Sequence, residues 1–136
     1  MSANLAHALS VIGDRWTLHV VAALLDRPQR FGELAERLDG IAPNVLTTRL
    51  RQLERDGLVI ATPYSQRPVR LAYALTDSGR ELSETIAVLS AWGARQTGEA
   101  EGPVHEECGT PLEARLYCPT CERAADEVAA QAMNWV

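Results

Sequence analysis

The sequence predicts a mainly α-helical fold with one small β-hairpin, followed by a separate small C-terminal element. Three observations carry this. Residues 41–57 form a strongly two-faced helical pattern, residues 58–75 hold two β-prone runs around a polar tip, and the composition changes abruptly at Gly98-Glu-Ala-Glu-Gly-Pro103.

Asn4 to Ile12 reads as a first helix, with Leu5, Leu9 and Ile12 at helical spacing and Gly13 after it. Asp14 is placed to cap a second helix. That helix is apolar on several sides, with Trp16, Leu18, Val20, Val21, Leu24 and Leu25, and is expected to be core. His7 and His19 fall inside these helices and are read as packed or surface histidines. Arg27-Pro28-Gln29-Arg30 breaks the pattern. Phe31, Leu34 and Leu38 then mark a short third helix, and Asp39-Gly40 a turn.

The fourth helix is the centre of the reading. Leu46, Leu50 and Leu53 stack on one side at 3.6 residues per turn, while Asn44, Thr48, Arg51 and Arg55 stack on the other. Pro43 suits the first turn, where its missing N–H costs nothing, and Gly57 supplies a left-handed stop. A short helix, a tight turn and a second helix with a polar outer face make a helix-turn-helix. Asn, Thr and Arg on that face are types that reach base edges and phosphates in a major groove; any solvated amphipathic helix shows a polar face as well.

The segment after Gly57 favours the first meaning. Leu58–Tyr64 and Val69–Leu75 read as strands around Ser65-Gln66-Arg67-Pro68, with Val69, Leu71, Tyr73 and Leu75 on one face and Arg70 on the other. A hairpin directly after a reader helix is a wing, and Arg67 and Arg70 would contact phosphates or the minor groove; a solvent-exposed hairpin made soluble by Arg fits the hairpin alone equally well. Thr76-Asp77-Ser78-Gly79 caps a long fifth helix running to about Thr97, with Leu82, Ile86, Leu89 and Trp92 as its stripe. That stripe and the first helix exceed what so small a core needs to cover, so a homodimer through these two helices is expected.

Charge is divided along the chain. The formal net charge is −5, yet residues 1–75 hold nine Arg against seven acidic residues, and residues 76–136 hold four against eleven. The helix-turn-helix half is therefore slightly basic and the acidity belongs to the tail. No run of eighteen apolar residues and no leader pattern occurs, so no membrane partner and a cytoplasmic location are expected.

These phrases together resemble the HxlR-type winged helix-turn-helix transcription regulators, relatives of the MarR group. The resemblance rests on Val11-Ile-Gly-Asp-Arg-Trp-Thr17, Arg30-Phe-Gly-Glu-Leu34, Ile41 to Leu50, Leu53 to Val59, Tyr73 to Gly79 and Trp92-Gly93. It implies a homodimer on pseudo-palindromic operator DNA, usually repressing and sometimes activating. Asn44, Thr47, Thr48 and Arg51 would then read bases, Gln52 and Arg55 would lie nearer the backbone, and Arg67 and Arg70 would anchor the wing. Arg49 lies toward the buried side and is expected to brace the helix. Members that sense oxidants carry a cysteine near the position of Ala3 here. Residues 1–107 contain no cysteine, so a thiol switch in that half is not implied and the effector stays unknown.

Beyond the linker, 98–104, stand His105-Glu-Glu-Cys108 and, after nine intervening residues, Cys118-Pro-Thr-Cys121. Two ligand pairs of equal spacing joined by a hairpin-length segment form the pattern of a zinc-ribbon-like element over 105–136. His105, Cys108, Cys118 and Cys121 would close a tetrahedral, structural Zn2+ site; the alternative is a metal-free redox pair or inert thiols. Glu106 or Glu107 can stand in for His105, and a three-coordinate, exchangeable site would instead sense the metal. A zinc deaminase shares His-x-Glu and Cys-x-x-Cys, but ten residues between Glu107 and Cys118 are too few and the proline falls inside the cysteine pair, so no enzyme is expected. Glu122 to Val136 reads as a short helix with Val128, Ala132 and Trp135 on one side. The rival to DNA binding is a protein-interaction adaptor that keeps the winged fold.

Overall fold

The computed structural model describes residues 2–98 and 102–125. The chain divides into two compact units, His7–Ile86 and a second made of Met1–Ala6 with Ala87–Val136. The elements in order are α1 (Ala3–Ile12), α2 (Thr17–Leu24), β1 (Gln29–Arg30), α3 (Phe31–Arg37), α4 (Pro43–Arg55), β2 (Val59–Gln66), β3 (Val69–Leu75), α5 (Asp77–Arg80), α6 (Leu82–Thr97), β4 (Tyr117–Cys118) and β5 (Arg123–Ala124).

The first unit is a mixed α+β winged helix. Val20, Val21 and Leu24 of α2, Leu34 of α3 and Leu46, Leu50 and Leu53 of α4 are buried together with Leu58, Val59, Tyr73 and Leu75 of the hairpin. The three leucines of α4 are at most 1% exposed, and each such burial stabilises by about 1.5–3 kcal/mol. Removing one leaves a cavity as well, so Leu50→Ala carries a cost of about 2–5 kcal/mol.

The second helix begins at Thr17, later than Asp14 suggests. Asp14 instead closes the preceding turn: its Oδ1 accepts from the N–H groups of Trp16 (2.8 Å) and Thr17 (3.1 Å), and its Oδ2 from the Thr17 hydroxyl. His19 is exposed, its Nδ1 2.9 Å from the Arg15 carbonyl.

The break at 27–30 conceals a strand. β1 pairs antiparallel with β3, Gln29 with Tyr73 and Arg30 with Ala72, giving a three-stranded sheet in the order β1-β3-β2. Gln29 is buried and donates its amide to the Ala23 carbonyl, so a polar side chain is tied to α2 at the sheet edge.

The hairpin is longer than its sequence signal. Pairing runs from Val59↔Leu75 to Gln66↔Val69 with a bulge at Tyr64, so the tip is Arg67-Pro68 alone, joined by a cis peptide. Leu75 and Tyr73 are buried and Val69 is 64% exposed, so the apolar face of β3 emerges from the core toward the tip.

The expected fifth helix is two. Thr76 caps α5, accepting from the Gly79 N–H at 3.1 Å, while its own hydroxyl donates to the Gly57 carbonyl at 2.6 Å. Gly79 passes so close to Leu58 that a Cβ would lie 2.2 Å from its carbonyl oxygen; no other residue fits there without moving backbone. The predicted stripe of α6 divides too: Leu82 and Ile86 pack on the core, whereas Leu89 and Trp92 stay exposed.

In the second unit, the described part of the C-terminal element holds two small turns: Val104 bridges Pro111, and β4 pairs with β5. Arg123 and Ala124 are therefore strand, not the start of a helix at Glu122. The rest of that expected helix, with Val128, Ala132 and Trp135, lies outside the described residues.

Candidate nucleic-acid interface

Residues at both of its ends determine how α4 is held. Its first turn opens with Pro43, and the Leu46 N–H donates to the Ala42 carbonyl at 3.0 Å. At the far end Gly57 takes φ 71°. Its N–H bonds the Glu54 carbonyl at 3.1 Å and the Leu58 N–H bonds that of Leu53 at 2.9 Å, the paired closure of a Schellman motif. The motif turns the chain directly from α4 into β2, which places the wing next to α4.

Asn44, Thr48, Arg51 and Arg55 are exposed, and Thr47 and Gln52 are half-buried at the edges of the same face. The hydroxyls of Thr47 and Thr48 donate back to the carbonyls of Pro43 and Asn44, both at 2.9 Å. Their oxygens keep lone pairs for an incoming donor such as a base amino group. Gln52 and Arg55 belong to a chain of polar contacts: Arg55 Nη2 donates to Gln52 Oε1 at 2.7 Å, and Gln52 Nε2 donates to the Asp56 carboxylate at 3.0 and 3.1 Å. That sets these two apart, at the C-terminal end of the helix.

Thr48, Arg51, Glu54 and Arg55 line a shallow groove. Burial first and then the charge of Glu54 raise the Tyr73 hydroxyl above its ordinary pKa, with Arg51 opposing. Arg67 and Arg70 are exposed on the wing. Among the described residues no carboxylate stands within ion-pair distance of Arg51, Arg67 or Arg70. Cations without an internal partner are available to a polyanion at little cost.

Arg49 points the other way. Its Nη1 lies 3.0 Å from Asp14 Oδ2, so it anchors the helix rather than facing outward. One residue of this surface has no sequence signal: Arg30 stacks its guanidinium 4.2 Å from the Tyr64 ring, at the bulge in the wing. Neither periodicity nor motif spacing joins residues on β1 and β2, which only the sheet brings together.

The four expected metal ligands are found as two pairs. His105 Nδ1 is 3.3 Å from Cys108 Sγ, and the Thr110 hydroxyl lies 3.2 Å from the same sulfur. The hydroxyl and N–H of Thr110 hold the Cys108 thiol below its ordinary pKa. The N–H and thiol of Cys121 and the N–H of Thr120 do the same for Cys118. Among the described residues no three His, Cys, Asp or Glu side chains gather closely enough to hold an ion. The single four-ligand cluster expected from the spacing is thus not formed here; hydrogen bonds hold each pair, while like thiols have no attraction to draw one pair to the other. No helix among the described residues is long and apolar enough to cross a membrane.

Comparison with known proteins accords with this geometry. Residues 11–101 match the family described as HxlR-like helix-turn-helix. An HTH-type transcriptional regulator of Mycobacterium tuberculosis, described as uncharacterised, is 39% identical over 122 residues, covering 87% of this chain and 77% of its own length. That span is longer than residues 1–101, so the likeness extends into the C-terminal element. Among solved structures, the HTH-type regulator YtcD superposes with a TM-score of 0.67 at 33% identity, covering 73% of this chain and all of YtcD. The reduced form of YodB from Bacillus subtilis gives 0.61 at 30%, covering 70% and 93%. A three-stranded winged unit, a reader helix with an outward Asn-Thr-Arg face and a family match across two thirds of the residues lead to one conclusion: this chain belongs to the HxlR-like helix-turn-helix family of transcriptional regulators.

Proposed function

We propose that this protein is a homodimeric, sequence-specific DNA-binding regulator that represses from pseudo-palindromic operators. The observation that carries the reading is the outward face of α4, where Asn44, Thr48 and Arg51 stand exposed. Asn44, Thr47, Thr48 and Arg51 read base edges in the major groove, Gln52 and Arg55 approach the backbone, and Arg67 and Arg70 grip phosphates beside the minor groove. Residues 1–97 serve DNA binding and dimerisation. Two-fold symmetry sets the half-sites roughly 10 base pairs apart, centre to centre.

The dimer is supported by apolar side chains left exposed on each of two helices, Leu5 and Leu9 on α1 and Val88, Leu89 and Trp92 on α6. YodB is known in a reduced form, but residues 1–107 here lack cysteine. The effector of this protein therefore acts by a route other than a thiol in the winged unit.

Footprinting the full-length protein on the DNA upstream of its own gene tests the proposal. Paired protected half-sites are expected; an absence of protection at low and physiological salt alike would favour the adaptor reading.

A further inference from the structure

The two turns of the C-terminal element repeat one another at a separation of thirteen residues. Val104 bridges Pro111 and Tyr117 pairs with Ala124. His105 bonds across to Thr110 through its N–H at 2.8 Å, and Cys118 pairs with Arg123 at the same place in the second turn. Cys108 and Cys121 follow three residues after those positions. The next residue in each turn is left-handed, Gly109 at φ 69° and Glu122 at φ 52°. Glu122 is the one non-glycine with positive φ among the described residues; such a conformation persists only where the surroundings hold it.

Each turn therefore presents two ligand-type side chains from one side of a tight loop. In the first, the nitrogen and sulfur are 3.3 Å apart. Zn–N and Zn–S bonds at a tetrahedral angle set such a pair about 3.6 Å apart, so this half is already near its bound shape.

Among the described residues of the element, the large side chains Leu112, Leu116 and Tyr117 are 52%, 56% and 61% exposed and form no core. Units this small need a disulfide, a metal or a partner. The three cysteines are free.

We propose that the C-terminal element is a structural Zn2+ site in which the turns His105–Cys108 and Cys118–Cys121 are preformed halves that one ion draws together. Four protein ligands, three sulfurs and one imidazole, close the tetrahedron and leave no position for water. The ion supplies the attraction that the thiols lack, and its binding energy becomes folding energy of the element. The inference concerns the C-terminal element alone and stands whether or not the winged unit binds DNA.

The test uses the full-length chain, purified under reducing conditions and given Zn2+ alone, with Co2+ as a spectroscopic stand-in. One zinc per chain and a tetrahedral, thiolate-bound cobalt spectrum are expected. Cys108→Ser, Cys118→Ser and Cys121→Ser should each weaken binding by more than the 10–100-fold that loss of an outer-shell partner typically costs. His105→Ala should weaken it too, and His105→Cys should restore one ion per chain with a redder, four-thiolate cobalt spectrum. That rescue separates loss of a ligand from loss of fold. Failure to take up zinc, half an ion per chain, binding indifferent to the three serine variants, or a Cys118–Cys121 disulfide formed in reducing buffer would each overturn the proposal.

Discussion

Arg49, on the inner flank of the reader helix, meets Asp14 at 3.0 Å across thirty-five residues of chain. Asp14 also holds the turn into α2, so one carboxylate fixes the start of a core helix and the pose of α4. Burial works against its charge, yet the Thr17 hydroxyl, the N–H groups of Trp16 and Thr17 and the Arg49 guanidinium outweigh that and keep the carboxyl below its ordinary value of 3.8. Its contribution is therefore complete above that value and is lost as pH falls through the lower, folded pKa. Asp14→Ala should cost about 1–2 kcal/mol at neutral pH. Urea midpoints of both proteins, compared at neutral pH and in acid below the folded pKa, check this; the gap should narrow in acid, and an unchanged gap would show that the side chain acts through packing.

Arg51 and Arg67 should fail in different ways. Arg51 lines the shallow groove beside Thr48, whereas Arg67 occupies the wing tip. Arg51→Ala should cost about 1–3 kcal/mol on operator DNA and relax the preference at one base position. Arg67→Ala should weaken operator and scrambled duplexes alike and lower the salt slope by about one unit. Titrations of both variants against both duplexes at several salt concentrations separate the two; identical behaviour would remove the division of labour.

The parts of this fold that could be read in advance are those where a period recurs. Leu46, Leu50 and Leu53 recur over about two turns of α4, and all three are buried. The Schellman glycine, the braced Arg49 and the wing were legible for similar reasons: each is a local rule satisfied by neighbouring residues. β1 was not legible, since two residues cannot show alternation and Gln29 is buried only because β3 pairs with it. The division of the fifth helix at Glu81 and the Arg30–Tyr64 stack were equally hidden, because each depends on what the tertiary fold brings alongside. In the C-terminal element the i to i+3 spacing is seen as contact within each turn, His105 with Cys108 and Cys118 with Cys121, but spacing says nothing of what would bring one turn to the other.

The stack of Arg30 on Tyr64 joins the edge strand to the bulge of the wing. Such a contact near solvent is worth about 0.5–1 kcal/mol. A double-mutant cycle of Arg30→Ala and Tyr64→Leu, followed by urea unfolding, should return a coupling of that size. If the stack also steadies the wing, either single variant should lower affinity for operator and scrambled duplexes by the same factor. A coupling near zero would show that the two side chains lie together without acting together.

Exposed apolar side chains on α6 give the last prediction. Trp92 is 56% and Leu89 46% exposed, and neither is needed by the core that holds Leu82 and Ile86. In a two-fold interface every substitution acts twice. Losing about 1.5–3 kcal/mol of burial in each copy would raise the dimer dissociation constant by about two to four powers of ten. Trp92→Glu should therefore sediment as a folded monomer and protect at most one operator half-site. Its thermal unfolding, measured at a concentration where the parent protein is already monomeric, should be nearly unchanged, because the side chain contributes to association and not to the winged core. A variant that stays dimeric and protects both half-sites would move the interface away from α6.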